Sequence, residues 1–220
     1  MPIDFKKEQK GLYQPKSTPS IIDVPEMFFI AVDGKGDPNT SAEYKNALEI
    51  LYGLSYGIKM SKMGGTQPDG YFEYVIPPLE GLWWGEDGYF DGTVVTDKDK
   101  LFWTSMIRQP DFVTSDVFDL AKVMLAKKKP DIETSKARLV KITEGLCVQV
   151  MHIGSYDDEP ATIAAMEKFA VENGYEIDIS GTRRHHEIYL SDPRKNAPEK
   201  LKTVIRHPIK KQAHKFLVQE

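Results

Sequence analysis

Apolar and polar residues alternate along two well-separated segments of the chain, at residues 28–36 and 146–154. In both segments an apolar residue recurs at every second position over five residues, and a glycine, Gly36 or Gly154, follows the last of them by four positions. A period of two is typical of a β-strand with one buried face, and the glycine suits the end of the strand. The pattern therefore predicts two equivalent strands.

A helical pattern follows each of these strands. In the first copy, Thr40 and Glu43 have the spacing of a capping box, in which each side chain satisfies a backbone N–H at the helix start. The apolar stripe of this helix is predicted at Tyr44, Ala47, Leu48 and Leu51. In the second copy, Pro160 suits the first helical position, and Asn173 with Gly174 suits the helix end. Each copy therefore continues from a strand into a helix.

Two further strands complete each copy. Residues 70–78 resemble residues 184–190, because each segment contains a glutamate followed by three apolar or aromatic residues. Residues 101–110 resemble residues 201–208 through a shared Ile-Arg-x-Pro ending. The similarities occur in the same order in both halves of the chain, so they define a repeated unit of about 85 to 90 residues.

The chain therefore divides into two repeats and the segments around them. The predicted parts are an N-terminal extension (1–20) and one domain (21–210), which contains a first repeat (about 24–110), a connecting helix (about 114–129) and a second repeat (about 137–210). We expect the N-terminal extension to be extended or loosely held. The fold class predicted is α+β: two pseudo-twofold-related β-α-β-β units form a largely antiparallel sheet, with helices packed on it and a central ligand cleft.

The composition narrows the class of protein. The 220 residues include 29 Lys and Arg against 33 Asp and Glu, a formal net charge of -4, so the basic excess of a nucleic-acid-binding domain is missing. Cys147 is the single cysteine, which excludes an intrachain disulfide. The first residues lack the apolar stretch of a signal peptide, and no run approaches the roughly 20 apolar residues of a membrane span. We expect a cytoplasmic protein that binds neither nucleic acid nor membrane.

The densest local signal is a group of aromatic residues between positions 71 and 103, which includes every tryptophan of the chain. Trp83 and Trp84 are adjacent and flanked by glycines and acidic residues, a loop-like setting in which both indoles cannot easily be buried. The rings predicted to form aromatic walls around a flat ligand are Tyr71, Trp83, Tyr89 and Trp103. The alternative, that a share of these rings only packs the sheet, stays open.

Two glutamates, Glu73 and Glu187, occupy matching places in the predicted repeats. In an aromatic cleft, an ionised Glu187 attracts a cation with help from the ring faces. Alternatively, desolvation raises the pKa of Glu187 and prepares it for general acid or base catalysis. A glutamate on a strand can also simply face solvent, and the pattern alone does not decide among the three.

The histidines do not predict a metal site. His185 and His186 are adjacent on a predicted strand, so their side chains point to opposite faces and cannot easily bind one ion together. The chain also lacks the paired cysteines and the His-x3-His spacing of zinc sites. Cys147 lies in an apolar, alternating segment and is predicted to be a small core residue. We therefore expect neither a metal nor a cofactor.

The second half of the chain carries a resemblance to a known family. Residues 186–193, with the sequence HEIYLSDP, and residues 198–208, with the sequence PEKLKTVIRHP, resemble the closing segment of the GyrI-like small-molecule-binding domains. The duplicated layout from about residue 20 to residue 210 is similar to that family as well. The resemblance implies two β-α-β-β modules around a cleft in which a glutamate and aromatic rings bind cationic, planar drugs. The matching glutamate is Glu187.

The resemblance also implies a function. Residues 1–20 contain Pro15 and Pro19 and leave no room for a helix-turn-helix domain, so the chain is similar to stand-alone members of the family. One group of these is the cyclopropanoid cyclopropyl hydrolases, in which an acidic residue activates water to open the strained ring of a genotoxic compound. Glu187 is then the catalytic residue of a hydrolase for xenobiotic detoxification. The alternatives are an inhibitor of DNA gyrase, which acts through protein contacts, and a ligand sensor without catalysis.

These expectations converge on one group of side chains around a multidrug-binding cleft. The rings sandwich the compound, Glu187 supplies charge or orients a water, and Glu73 or His186 assists. The complete set of predicted ligand-binding residues is Tyr71, Glu73, Trp83, Tyr89, Trp103, His186, Glu187 and Tyr189.

Overall fold

The structure is a computed structural model that describes residues 1–85, 90 and 92–213. In this part of the chain the helices are α1 (Phe5–Glu8), α2 (Lys10–Tyr13), α3 (Ala42–Lys59), α4 (Ser115–Lys128) and α5 (Glu159–Glu172). The strands are β1 (Ser20–Val24), β2 (Met27–Lys35), β3 (Leu79–Gly85), β4 (Leu101–Gln109), β5 (Arg138–Ile142), β6 (Gly145–Ile153), β7 (Tyr175–Ile177), β8 (His185–Tyr189) and β9 (Lys202–Lys211). None of the helices described is both long and apolar enough to cross a bilayer.

The strands form one antiparallel sheet in the order β1-β6-β9-β8-β3-β4-β2-β5, with β7 paired to β9 beside this path. Reading outward from the centre, β3, β4 and β2 of the first repeat mirror β8, β9 and β6 of the second. The outermost strands exchange: β5 precedes the second repeat but pairs with the first, and β1 precedes the first repeat but pairs with the second. The sheet therefore has the predicted pseudo-twofold arrangement.

Most of the predicted elements are confirmed. Strands β2 and β6 follow the two alternating segments, and α4 is the connecting helix. Helix α3 begins one residue later than the capping box suggested, because Ser41 rather than Thr40 accepts the backbone N–H of Tyr44, at 3.2 Å. Helix α5 carries Pro160 in its first turn, and Gly174 follows its end with the positive φ of 83° that glycine tolerates.

The strand predicted at residues 70–78 is wrong. Within that segment Tyr74 forms an isolated bridge to Ile3, while the regular strand begins at Leu79. Strand β3 lies between β8 and β4, so its backbone N–H groups must donate hydrogen bonds to neighbouring strands on both sides. Pro77 and Pro78 have none, which keeps their segment out of the centre of the sheet.

The register also corrects which residues are equivalent. Leu79 pairs with Ile107 on β4, and Glu187 pairs with Ile205 on β9. Ile107 and Ile205 both begin the repeated Ile-Arg-x-Pro ending. The counterpart of Glu187 is therefore Leu79 and not Glu73. The first repeat thus has a leucine at the position where the second repeat has the carboxylate of Glu187.

The pseudo-twofold axis passes through the middle of the sheet. Glu80 of β3 and Ile188 of β8 directly follow the equivalent residues Leu79 and Glu187, so they are equivalent as well. They pair directly with each other, which places the axis between them. Helices α3 and α4 cover the first half of one sheet face, and α5 covers the second half. A hollow on this face at the axis is thus bounded by α3 on one side and α5 on the other.

The N-terminal segment is not loosely held, as the sequence had led us to expect. Helices α1 and α2 lie against the second face of the sheet, where Leu12 and Tyr13 are buried beside Met106 and Val204. The carbonyl of Leu12 accepts a 2.9 Å hydrogen bond from Arg206 Nη2. Both sheet faces carry apolar side chains, so the face without the long helices needs this cover.

A cluster of charged side chains is buried under the same segment. His186 Nδ1 and Arg206 Nη1 lie 2.9 and 2.7 Å from the two carboxylate oxygens of Glu144. His186 Nε2 also lies 3.0 Å from Glu80 Oε2, as an ion-pair contact without hydrogen-bond alignment. Burial acts to raise the pKa of Glu144, but His186 and Arg206 outweigh it and hold that pKa at about 2. Burial acts to lower the pKa of His186, and the charge of Glu144 instead raises it to about 9. His186 therefore carries a structural charge.

Candidate functional site

A cavity of about 1550 Å³ lies on the helix-bearing face, between α3 and α5 and over β3 and β8. Its walls are rich in aromatic side chains, namely Tyr44, Tyr52, Trp83, Phe90, Tyr156 and Tyr189. Typical small-molecule sites have volumes of roughly 300–1,000 Å³. The cavity is therefore large enough for a drug-sized ligand, and its walls suit a flat, aromatic one.

The floor of the cavity is made by alternate residues of the two central strands. Trp83 of β3 and Glu187 and Tyr189 of β8 point to the same side, because residues two apart on a strand share a face. Gly81 leaves open the space between them, since a Cβ there would lie 2.7 Å from Trp83 Nε1 and 3.1 Å from the Tyr189 hydroxyl oxygen. In that space Trp83 Nε1 donates a 2.9 Å hydrogen bond to the Tyr189 hydroxyl.

Glu187 is the hydrogen-bonded centre of this floor. Its side chain is 14% exposed, its Oε2 accepts the Tyr189 hydroxyl at 2.7 Å, and its Oε1 lies 2.9 Å from His185 Nε2. Burial acts to raise the pKa of Glu187, but the hydrogen bonds of His185 and Tyr189 and the nearby charge outweigh burial and lower it. Glu187 is therefore an oriented, ionised carboxylate at the bottom of an aromatic cavity.

A second carboxyl group, that of Glu159, faces Glu187 from the first turn of α5. Glu159 is only 6% exposed, and its Oε1 has no hydrogen-bond donor when the group is ionised. Burial, followed by the charge of Glu187, raises the pKa of Glu159 well above its ordinary value. A proton on Glu159 supplies the missing hydrogen bond, to Glu187. The raised pKa of Glu159 beside the lowered pKa of Glu187 therefore favours Glu159 as the acid and Glu187 as the carboxylate of the pair.

The aromatic walls stay uncharged around this pair. The rings of Tyr44 and Trp83 lie 6.1 Å apart, and Tyr156 meets Tyr189 edge to face at 6.0 Å. Burial and then the charge of Glu187 raise the pKa of Tyr156 to about 12, and burial likewise raises the pKa of Tyr44. Neutral phenol and indole faces beside a single negative charge favour a flat compound, and a cationic one above all.

Of the predicted site residues, Trp83, Glu187 and Tyr189 line the cavity. Trp103 is completely buried below it, with its ring centre 5.0 Å from that of Tyr44 in an edge-to-face contact and its indole in the space left by Gly34. Trp103 thus supports the wall from behind, as the core alternative allowed. Adjacent Trp84 faces away from Trp83 because both lie on β3 rather than in a loop.

The structure places three other predicted residues away from the cavity. The Tyr71 hydroxyl donates to the Lys59 carbonyl at 2.7 Å, and exposed Glu73 pairs with Lys62. His186 points to the opposite sheet face, into the buried cluster of charges described above, because its neighbours in sequence take the cavity side. Tyr89, the last predicted residue, lies outside the residues that the structure describes.

Sequence reasoning missed Tyr44, Tyr156, Glu159 and His185 as cavity residues. The helical stripe predicts Tyr44 only as a core residue of α3, and the histidine pair does not predict a site at His185. Glu159 precedes Pro160 at a helix start, a position where an acidic residue is expected for the helix dipole alone. Its proximity to Glu187 arises from the packing of α5 on the sheet, which no local pattern records.

Three side chains at the cavity floor also have the geometry to share a cation. Glu159, His185 and Glu187 each offer one ligand atom, and these atoms lie within 4.8 Å of one another. The contact between His185 Nε2 and Glu187 Oε1 and the proton assigned to Glu159 account for the arrangement with hydrogen bonds alone. A metal-free site therefore stays a prediction.

An α+β domain with a pseudo-twofold sheet and an aromatic cavity on its axis defines a class of small-molecule-binding domain. The sequence matches the family of GyrI-like small molecule binding domains over residues 17–210. The chain belongs to this family, as the closing segment had suggested.

Three solved structures from Listeria innocua are similar over nearly the whole chain. One is a hydrolase with 50% sequence identity and a TM-score of 0.86, and the match covers 94% of this chain and 100% of that one. A hydrolase encoded by lin2189 has 51% identity and a TM-score of 0.88, covering 96% and 100% of the two chains. An uncharacterized conserved protein has 53% identity and a TM-score of 0.89, covering 94% and 100%. No match was found among curated proteins.

Proposed function

We propose that this protein binds planar aromatic or cationic small molecules in the aromatic cavity and hydrolyses those that carry a strained, electrophilic ring. The observation that carries the proposal is the pair of buried carboxyl groups, Glu159 and Glu187, whose oxygen atoms lie within 4.8 Å of each other at the floor of the cavity. An acid and a base held side by side out of water are the components of general acid–base catalysis. Two similar proteins described as hydrolases support it further.

The proposed reaction adds one water molecule across a cyclopropane that is conjugated to a carbonyl group. Glu187 accepts a proton from water as the water oxygen forms a bond to a ring carbon. The carbon–carbon bond that breaks leaves its electron pair on the conjugated carbonyl, which Glu159 protonates to an enol or phenol. Glu187 then returns the proton to Glu159 across their contact, so the protein ends as it began.

The floor of the cavity supports this assignment of roles. Trp83 holds the Tyr189 hydroxyl, and Tyr189 and His185 fix both oxygens of Glu187, so the base is oriented before the ligand arrives. The surrounding rings exclude water from the electrophilic carbon and hold a flat compound in one orientation. For a cationic compound, the same carboxylate supplies the countercharge.

The test uses a spirocyclopropyl cyclohexadienone, whose dienone absorbance disappears when the ring opens. Replacement of Glu187 by Gln keeps the shape but removes the base, so we expect kcat/KM to fall by at least about 100-fold, the usual contribution of general base catalysis. Glu159→Gln should lower kcat comparably, because a carboxamide does not protonate the product oxygen. Binding of the neutral probe, followed by quenching of indole fluorescence, should persist in both variants.

The matched control is Glu73→Gln, the same substitution at an exposed glutamate that pairs with Lys62 outside the cavity. This variant should turn over the probe at the rate of the unmodified protein. Wild-type turnover by Glu187→Gln would rule out the catalytic role while leaving the binding role open. The gyrase-inhibitor and ligand-sensor alternatives have no specific feature of the described residues in their favour and stay predictions.

A further inference from the structure

A line of hydrogen bonds leads from the cavity floor to a partly exposed glutamate of α5. It starts at Glu187 Oε1, which lies 2.9 Å from His185 Nε2. His185 Nδ1 lies 2.7 Å from His207 Nε2, and His207 Nδ1 lies 2.9 Å from Glu167 Oε1. The two histidines are buried, whereas the Glu167 side chain is 30% exposed. The line therefore joins a buried carboxylate to one that reaches solvent.

The sheet brings the two imidazoles together. His186 and Arg206 are paired residues of β8 and β9, so His185, one position before, and His207, one position after, lie across from each other on the cavity side. Phe90 covers His185 with an edge contact between ring centres 5.2 Å apart. Both imidazole rings are buried among the described residues, so water does not contact them directly.

The hydrogen bonds can be satisfied in only a few ways. Each of the three contacts needs one proton, so the line needs three. Two neutral histidines and two ionised carboxylates hold only two of them, so the complete line carries one extra proton. That extra proton can sit on Glu167, on His207, on His185 or on Glu187, and each arrangement keeps all three hydrogen bonds. Moving every bridging proton by one step carries a proton from one end to the other without breaking the line.

Binding of a cation gives the carboxyl pair a proton to release through such a path. The pair of Glu159 and Glu187 holds one proton, and a positive ligand beside it favours its loss. A ligand stacked over Glu187 stands between that carboxylate and the cavity opening. A second route from Glu187 to water runs behind the cavity floor, through the histidines to Glu167. Burial lowers the pKa of His207, against the opposing effect of Glu167, which lets His207 pass a proton on rather than keep it.

We propose that His185, His207 and Glu167 form a proton relay that connects Glu187 to solvent at the partly exposed Glu167 of α5 while a ligand occupies the cavity. The inference rests on the proposed binding of cations at the carboxyl pair. Glu167 and His207 do not touch the ligand and act through Glu187. The other titratable groups that face Glu187 are Glu159 of α5, Tyr44 of α3, Tyr189 of β8 and Tyr156 ahead of α5.

The experiment follows protons and ligand separately. N-methylacridinium serves as the probe, because it is a planar cation with no proton of its own. Stopped-flow mixing at pH 7 in weak buffer records binding through indole fluorescence and proton release through a pH indicator dye. In the unmodified protein we expect proton release to keep pace with binding.

The decisive variant is Glu167→Gln, whose carboxamide oxygen can still accept the His207 Nδ1–H but cannot carry the proton onward. We expect binding to proceed at the original rate and proton release to slow at least tenfold, with the same total number of protons released at equilibrium. Glu167→Asp should restore the rate in part. Glu172→Gln is the control, because it removes an equivalent charge from exposed Glu172, one turn further along α5, which pairs with Lys168.

The possible outcomes test the relay and the binding of cations separately. Proton release at the unmodified rate in Glu167→Gln, or no proton release on binding to the unmodified protein, overturns the relay. Absence of fluorescence quenching by the probe in the unmodified protein instead contradicts cation binding, and with it the proposed function. Equal slowing in Glu172→Gln shows a general effect of surface charge and also overturns the relay.

Discussion

Replacing Gly81 by Ala tests whether the cavity floor depends on close contact at one position. The added Cβ would lie 2.7 Å from Trp83 Nε1, whereas ordinary contacts begin at 3.4 Å, so the indole nitrogen must retreat by about 0.7 Å. The Tyr189 hydroxyl lies only 3.1 Å from the same Cβ, so both partners of the 2.9 Å hydrogen bond must move. A displacement of about 0.7 Å along the bond would lengthen it to about 3.6 Å, at which it no longer counts as a hydrogen bond. The support of Glu187 is then lost.

The expected change in the free energy of unfolding follows from three terms. Overpacking of a buried site costs about 1–3 kcal/mol, and a lost hydrogen bond costs about 1 kcal/mol. Alanine reduces the freedom of the unfolded chain, which offsets about 0.4–1 kcal/mol. We expect a net destabilisation of about 1–3 kcal/mol for Gly81→Ala.

Urea unfolding and ligand titration together measure this change. For the unfolding measurement the control is Gly57→Ala, because Gly57 lies in α3 with no atom near the position of an added Cβ, and alanine there should stabilise the protein by up to about 1 kcal/mol. Gly81→Ala should also weaken binding of the planar probe. Unchanged or increased stability together with normal binding would refute the close-contact explanation of the floor.

Two further predictions concern pH. The fold lowers the pKa of Glu144 from 4.5 to about 2, so the ionised carboxylate contributes stability that is complete above pH 4.5 and is lost as pH falls through about 2. The fold raises the pKa of His186 from 6.5 to about 9, so the charged imidazole contributes stability that is complete below pH 6.5 and is lost as pH rises through about 9. The urea midpoint should therefore peak between these limits, and Glu144→Gln should cost about 3–5 kcal/mol and flatten the profile; a surface control, Glu176→Gln, that behaved the same way would contradict the role of the buried cluster. Affinity for N-methylacridinium should rise with pH as Glu159 loses its proton, and Glu159→Gln should be flat over the same range by fluorescence titration; an unchanged slope would remove Glu159 from the shared-proton pair.

Much of the fold was decided locally. Alternating apolar positions located β2 and β6, the cap and stripe residues located α3 and α5, and the order of similar segments revealed the duplication. Such signals survive in a sequence because one strand or one helix must bury its own apolar face. The likeness of the closing segment also pointed to the correct family and to Glu187.

The site depended on contacts between distant elements. Pro77 and Pro78 keep the central strand beyond Glu73, so the residue equivalent to Glu187 is Leu79, six residues further along the chain. Pleating sent His186 away from the cavity and His185 into it. Glu159 and Glu187 are neighbours only because α5 packs on the second half of the sheet, and that packing buries both carboxyl groups and raises the pKa of Glu159. The sequence by itself determined which segments form strands and helices, since those choices follow from nearest neighbours along the chain. Only the tertiary structure decided which carboxyl groups and rings meet, because burial and charge pairing depend on distances in space.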